Sequence, residues 1–380
     1  MITEHVGASY DGRAWIEIDL GALAHNAAEL RSRLPAGCRL MAVVKADAYG
    51  HGAERIAARL RKEGIDSFAV ATVAEGVQLR KSMREGKILV LGYTAPKDAG
   101  LLNEYNLSQL VVDSSYAAEL NATNYDICVH IAIDTGMHRL GIESSELAKI
   151  ERVFGFKNLT VEGVATHLAS SDSLDAGDVE FSNLQASRFF SVVEALNKKG
   201  YDTGSLHIQA SYGIYNFPEV KCDYARAGIA LYGVMSHDTG ISVPTGLKPV
   251  LSLRALIAQV RWIGAGESVS YGRTFTTDKP MKLATVSIGY ADGIPRNMSG
   301  NGGKCIVHGK KALIVGRICM DLLMIDVTGI DDVKQGDVAT FIGRDDEEEI
   351  RCEDVAAACG TITNEILCRM GNRLPRVYFD

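Results

Sequence analysis

The lysine of MAVVKADAYGHG, Lys45, is the residue best placed in this chain to act as a nucleophile. It closes an apolar run of the kind that forms a buried strand, and small residues around it leave room for a bulky ligand. Desolvation at the mouth of an apolar fold would lower its pKa and leave a free amine able to form a Schiff base with a carbonyl compound. Taken alone, the ordinary reading is the better one: a lysine at a strand end lays its stem along apolar surface and keeps its charge in water. Other chemistries have less to work with. Paired carboxylates at strand ends, as glycoside cleavage needs, would come only from Asp134 and Asp172. The eight cysteines, at 38, 128, 222, 305, 319, 352, 359 and 368, include no C-x-x-C pair, which fits neither a zinc site nor a secreted disulfide frame. They read as reduced thiols.

The elements that must position Lys45 follow from periodicity. Between Arg39 and about Val234, eight short apolar runs alternate with amphipathic stretches: LMAVV (40–44), SFAVAT (67–72), ILVLG (88–92), QLVV (109–112), ICVHIAI (127–133), VEGVATH (161–167), LHIQAS (206–211) and YARAGIAL (224–231). Segments such as AERIAARLRKEG and QASRFFSVVEALNKKG between them carry apolar residues three or four apart and a basic residue before a closing glycine, the pattern of helices. Eight strand–helix units predict an α/β fold of the (β/α)8 TIM-barrel type, with Lys45 at the end of the first strand, where such barrels present reactive groups. A doubly wound sheet is the alternative, but no G-x-G-x-x-G follows the first strand. After about Pro249 the texture changes to alternation in LSLRALIAQVRWIG, KLATVSIGY, KCIVHGKKALIVG and MDLLMIDV, which predicts a mostly antiparallel β domain closed by two short helices near Glu353–Ala358 and Asn364–Met370. The expected boundaries are 14–243 for the barrel and 244–380 for the β domain, with residues 1–13 supplying a strand to the latter.

Composition narrows the function. A length of 380 residues suggests two domains at ~150 residues each. Forty basic against 47 acidic side chains give a net charge of −7, which leaves no basic field for a phosphate backbone and excludes nucleic acid as the expected partner. No apolar run reaches the ~18 residues of a membrane span, and residues 1–13 carry no signal core, so a cytoplasmic chain without membrane contact is expected.

At AVVKADAYGHG (42–52) the sequence resembles the alanine racemase family, and the likeness continues in order through DTGMHRLGI (134–142), THLASSD (166–172), ARAGIALYG (225–233), VSYGRTF (269–275), IGYADGIPR (288–296), GRICMD (316–321) and RLPR (373–376). The resemblance implies a barrel joined to a β domain (the alanine racemase-like fold of PLP enzymes, fold type III) and pyridoxal 5'-phosphate (PLP) as cofactor. It implies that Lys45 carries the cofactor and is one of two catalytic bases, with Tyr271 as the second. A free phenol, with a pKa of about 10, is a poor base at neutral pH, so neighbours must stabilise its phenolate. By the same likeness His167 and Arg226 connect that tyrosine to the pyridine ring. Without it, His167 would be a satisfied core histidine, Tyr271 a buried aromatic and Arg226 a surface ion-pair residue. An arginine cannot accept the proton that an acidic partner would place on the ring nitrogen, which favours racemisation over transamination or decarboxylation. Tyr49, Ser211, Gly228 and Ile229 are implied in phosphate binding. Arg139, Met320 and Asp321 are implied in substrate binding, with Tyr271, Met320 and Asp321 reaching the site from the second subunit of a head-to-tail homodimer. Tyr290, Asp172, Arg296 and Arg317 match an access corridor.

Two departures from the family pattern matter. Many members hold a carbamylated lysine against the residue matching Arg139, and here Ala132 stands in its place, so a chloride, a water or another acidic side chain is expected to brace Arg139. The family's tyrosine before R-x-P-R is Asn372 here, which opens space beside the substrate Cβ and adds a donor and an acceptor, suiting serine. This Asn is similar to that of the serine racemases of VanT-type vancomycin resistance, cytoplasmic regions of membrane-bound proteins that supply D-serine for peptidoglycan precursors ending in D-Ala-D-Ser. The expectation is a serine racemase with alanine side activity. The alternatives are an alanine racemase of cell-wall synthesis and a non-catalytic PLP-binding protein.

Overall fold

The computed structural model describes residues 12–236 and 246–380; residues 1–11 and the expected boundary at 243–244 lie outside the described residues. The chain divides into two compact units: one holds Leu23–Gly233, and the other joins residues 12–22 and 234–236 to Pro249–Asp380.

In the first unit, eight parallel strands follow one another: Arg39–Val43, Ser67–Val70, Lys87–Val90, Ser108–Val111, Ile127–Asp134, Leu159–Ala165, Ser205–His207 and Tyr224–Ala227. They are the eight apolar runs of the sequence. The eighth strand pairs with the first, Arg226 lying opposite Met41, and touches the seventh through a bridge between Ala210 and Arg226. The ring is thus nearly closed. Strands covered on both faces have no polar side to offer, which is why each reads as a continuous apolar run and not as alternation. Helices separate them as the 3.6-residue period dictates. Ala53–Lys62 buries Ile56, Ala57 and Leu60 on one stripe and ends in Arg59, Arg61 and Lys62, a favourable charge at a helix C-terminus. Val73–Ser82 begins with a capping box between Thr72 and Glu75.

The second unit is a nine-stranded sheet around the long strand Leu251–Ile263, which pairs antiparallel with Ala14–Asp19, Met281–Val286 and Val338–Asp345. The hairpin Lys304–Val307 and Lys310–Val315 and the strand Leu323–Asp326 extend it, and helices Cys352–Cys359 and Thr363–Cys368 follow. Among the described strands of this sheet, Arg376–Phe379 makes the one parallel pairing, against Ala14–Asp19. Residues 14–22 are therefore grouped with the β unit and not with the barrel to which the sequence reading gave them. No helix among the described residues is long and apolar enough to cross a membrane.

Candidate active site

Lys45, Arg139, His167, Ser211 and Gly228 each follow within a few residues the C-terminal end of a barrel strand, and Arg226 sits within the eighth strand itself. All therefore belong to one mouth of the barrel. The segment after Lys45 takes an unusual path. Ala46, Asp47, Ala48 and Tyr49 all have φ between 52° and 55°, a left-handed turn without a single glycine. Each L-residue in that region costs roughly 1–2 kcal/mol, so the surroundings must hold it. They do so through side chains. Glu75 accepts the Ala46 N–H at 2.8 Å and the Ala71 N–H at 2.7 Å, and Asp47 accepts the Ala53 N–H at 2.7 Å. The buried Tyr232 stacks on His51 at 4.4 Å between ring centres and donates its hydroxyl to the Val43 carbonyl at 2.9 Å.

Arg226 is buried, which removes the surface ion-pair reading. Its Nη1 donates to His207 Nδ1 and to the His207 carbonyl, both at 2.8 Å. Its Nη2 donates to the Thr166 carbonyl at 2.6 Å and to His167 Nδ1 at 3.2 Å. Four of the five guanidinium N–H groups are spent in this way, and Nε–H has no acceptor among the described residues. Burial lowers the Arg226 pKa to about 10, which leaves it charged at neutral pH. His167 is pushed down to about 3, by burial first and then by Arg226, Arg139 and Lys45. The mouth thus gathers three cations around a neutral imidazole, and it suits a ligand with several negative charges.

Ser211 Oγ accepts the N–H groups of Gly228 at 3.1 Å and Ala230 at 3.3 Å, so its own proton is free to be donated to an anion. A Cβ at position 228 would lie 2.7 Å from Tyr49 Oη; glycine is what lets the backbone approach that hydroxyl. Ile229 opens the short 3-10 turn that follows. Arg139 is exposed and has no hydrogen bond or ion pair among the described residues. This corrects the expectation of an acidic side chain bracing it: the nearby Asp134 accepts the N–H groups of Gly136 and His138 instead.

Tyr271, Met320, Asp321 and Asn372 lie on the β unit. Tyr271 is 70% exposed, so the buried-aromatic reading fails. It is flanked by Ser270, with φ 67° and ψ −176°, and by Gly272 and Arg273, both at positive φ. The Ser270 hydroxyl holds this strained loop by donating to the Arg317 carbonyl at 2.5 Å. Met320, Tyr290 and Leu322 are exposed as well, and Tyr290 N–H donates to the Cys319 carbonyl, in the same segment whose Arg317 carbonyl holds the Tyr271 loop. Arg296 and Arg317 line a cavity of about 560 Å³ in this unit, whereas Asp172 is on the barrel unit. Asn372 is exposed, and its neighbour Arg373 donates to Asp321 at 2.6 Å. Neither that pair nor the buried His130 and His207 behind Arg226 follows from the sequence motifs. The available signal was a histidine interrupting each of two apolar strands, where a polar ring needs a partner.

A (β/α)8 barrel with a lysine and an arginine at its mouth, together with an antiparallel β domain, defines the class of fold-type III racemases. The chain matches the family models for the alanine racemase N-terminal domain over residues 18–236 and the alanine racemase C-terminal domain over residues 250–378. It belongs to the alanine racemase family. It is 42% identical over 363 residues to an amino-acid racemase of Enterococcus faecalis, covering 95% of this chain and 51% of that protein. It is 40% identical to an alanine racemase of Geobacter sp. strain M21, covering 96% of this chain and 98% of that one, and 39% identical to a serine/alanine racemase of Enterococcus gallinarum, again over 51% of its length. The chain thus spans about half the length of the two enterococcal relatives. Among solved structures, the alanine racemase of Clostridium difficile 630 superposes with a TM-score of 0.92 at 32% identity over 97% of this chain and 96% of that one. That of Bartonella henselae, which carries covalently bound pyridoxal phosphate, superposes with a TM-score of 0.86 at 33% identity, covering 97% of this chain and all of that one.

Proposed function

We propose that the chain is a PLP-dependent amino-acid racemase working with two bases, Lys45 and Tyr271, and acting on serine with alanine as a second substrate. The observation that carries this reading is the buried Arg226, held by His207, Thr166 and His167 with Nε–H left over. A permanently protonated donor opposite the ring nitrogen leaves that nitrogen without a proton, which suits reprotonation at Cα more than transamination. Lys45 would hold PLP covalently, Ser211, Tyr49 and the N–H groups of Gly228 and Ile229 its phosphate, and Arg139 its phenolic oxygen and the substrate carboxylate. When bound, PLP supplies a conjugated ring that delocalises the electron pair left at Cα when its proton departs.

The residues then divide the work. Lys45 moves a proton on one face of Cα. Tyr271 of the partner subunit serves the other face, and the exposed Tyr271, Met320, Tyr290 and Leu322 offer an apolar surface for a homodimer. Because Arg226 donates to His167 Nδ1, the proton of this neutral imidazole sits on Nε2, ready to be donated to the Tyr271 oxygen and to favour its phenolate. Met320, with Asp321 beside it, would line the substrate side.

Reduction of the purified protein with borohydride should fix PLP on Lys45, read by mass spectrometry of its peptide. An unmodified Lys45 would end the PLP reading. Loss of optical rotation of L-serine or L-alanine then separates a racemase from a non-catalytic PLP-binding protein.

The preference for serine rests on Asn372 and on the enterococcal relatives named amino-acid racemase and serine/alanine racemase. The alanine racemase of Geobacter, equally similar, favours the alternative of D-alanine supply. Asn372→Tyr should raise the alanine-to-serine ratio of kcat/KM by about tenfold, the scale of discrimination available to a filled pocket. An unchanged ratio would remove Asn372 from substrate selection. Acting on serine, a cytoplasmic region of this kind would provide D-serine for peptidoglycan precursors ending in D-Ala-D-Ser and so for vancomycin resistance.

A further inference from the structure

Arg226 is the upper end of a polar chain through the barrel. Its Nη1 meets His207 Nδ1 at 2.8 Å, and His207 Nε2 meets His130 Nδ1 at 2.9 Å. His130 Nε2 faces Glu162 Oε2 at 3.9 Å. Glu162 in turn accepts the Ser108 hydroxyl at 3.0 Å and lies 3.8 Å from Lys87 Nζ, at the opposite end of the barrel strands. Both histidine rings are buried.

The direction of this chain is not free. A guanidinium can only donate, so His207 Nδ1 must be bare and the His207 proton must sit on Nε2. That proton is then donated to His130 Nδ1, which forces the His130 proton onto Nε2, toward the Glu162 carboxylate. Burial holds both rings neutral, His130 near 4 and His207 well below its ordinary value, as this arrangement requires. The backbone makes room for it. A Cβ at Gly163 would lie 2.3 Å from His130 Nδ1 and 2.5 Å from the Ser205 carbonyl, so the strand admits the second imidazole only because position 163 is glycine.

We propose that His207 and His130, with the Glu162 carboxylate beyond them, are positioning residues that fix the orientation of Arg226 and so aim its remaining N–H. The proposal rests on the reading of Arg226 as the partner of the PLP ring nitrogen. It assigns these residues no contact with substrate. An apolar core would fill the same space more cheaply than two neutral histidines, since each buried imidazole needs both of its nitrogens satisfied. Their arrangement is explained by what they do to the guanidinium.

The test compares His130→Leu with His130→Gln in the holoenzyme. Gln can accept from His207 with its carbonyl and donate toward Glu162 with its amide, so it keeps the chain; Leu fills the space and breaks it. The proposal expects both wild-type histidines as Nε2–H tautomers by 15N NMR of labelled imidazoles. It also expects His130→Leu to lower kcat about tenfold with KM within about twofold, and His130→Gln to restore most of that loss, a scale set by misplacement of one contact group. A filler role would make Leu at least as good as Gln. An Nδ1–H tautomer or a charged ring at neutral pH, or equal kcat in the two variants, would overturn the proposal. If the Leu variant does not fold, a His130→Gln enzyme with tenfold lower kcat overturns it equally, and one near wild type supports it. The tautomer reading needs no turnover, so it decides this point even if the racemase reading itself fails.

Discussion

Tyr271→Phe should abolish racemisation in both directions, by about 10³-fold, within the range contributed by a positioned acid–base group. Yet it should leave one enantiomer exchanging its Cα hydrogen with solvent. The reason is stereochemical. Inversion needs hydrogen removed from one face and delivered to the other, whereas exchange needs only one base that takes and returns it. With the phenol gone, Lys45 still serves its own face, so one enantiomer incorporates deuterium from D2O without changing hand. The other does neither. Proton NMR of each enantiomer incubated in D2O, alongside chiral chromatography, reads both quantities. Continued racemisation at the wild-type rate, or loss of exchange from both enantiomers, would rule out Tyr271 as the second base. The strained loop at Ser270–Arg273 makes Phe the right replacement, because it keeps the ring and removes only the hydroxyl.

The second large effect is on stability. His130, His167 and His207 all have folded pKa values below the ordinary histidine value of about 6.5: His130 near 4, His167 near 3, and His207 well below it through full burial and the neighbouring His130 and Arg226. The unfolded chain therefore binds more protons than the folded one at any pH between those values and 6.5. The contribution of their neutral burial is present in full above about pH 6.5 and is lost as the pH falls toward 4 and then 3. At pH 5 His130 and His167 would each cost about 2 kcal/mol, and the buried His207 adds in the same direction. Denaturant unfolding measured from pH 7 to pH 4.5 should show this fall, with a proton uptake approaching three. His130→Gln should reduce the uptake by about one. A flat profile across that interval would mean that the rings are not buried as neutral imidazoles.

The barrel was legible because its strands are covered on both faces: ICVHIAI and YARAGIAL cannot alternate, and their short length marks them as strands. Lys45 was legible as a lysine at a strand end, but its chemistry came only with the motif string. The left-handed turn at Ala46–Tyr49 was not legible, since ADAY has no glycine to announce positive φ; the turn is held by Glu75 from outside it and by its own Asp47, which accepts the Ala53 N–H. Strand Val338–Asp345 and the pairing of Ala14–Asp19 with Arg376–Phe379 were also missed. Parallel partners so far apart in sequence leave no local trace of each other. The chain behind Arg226 escaped for a similar reason: His130 and His207 belong to different strands, and only the closed barrel brings their rings to 2.9 Å.

The β unit carries a consequence for biogenesis. Ala14–Asp19 is flanked on one side by Leu251–Ile263 and on the other by Arg376–Phe379. On a ribosome that strand emerges before the barrel, yet neither of its neighbours exists until the whole barrel segment has been translated. Both of its hydrogen-bonding edges stay open while the barrel is made, a template for stray β-pairing. The barrel strands, each paired with the next in sequence, can meanwhile assemble in order, with the eighth joining the first at the end. Through that interval nascent protein is exposed to aggregation at this strand, and the danger passes only when residues 376–379 have left the exit tunnel.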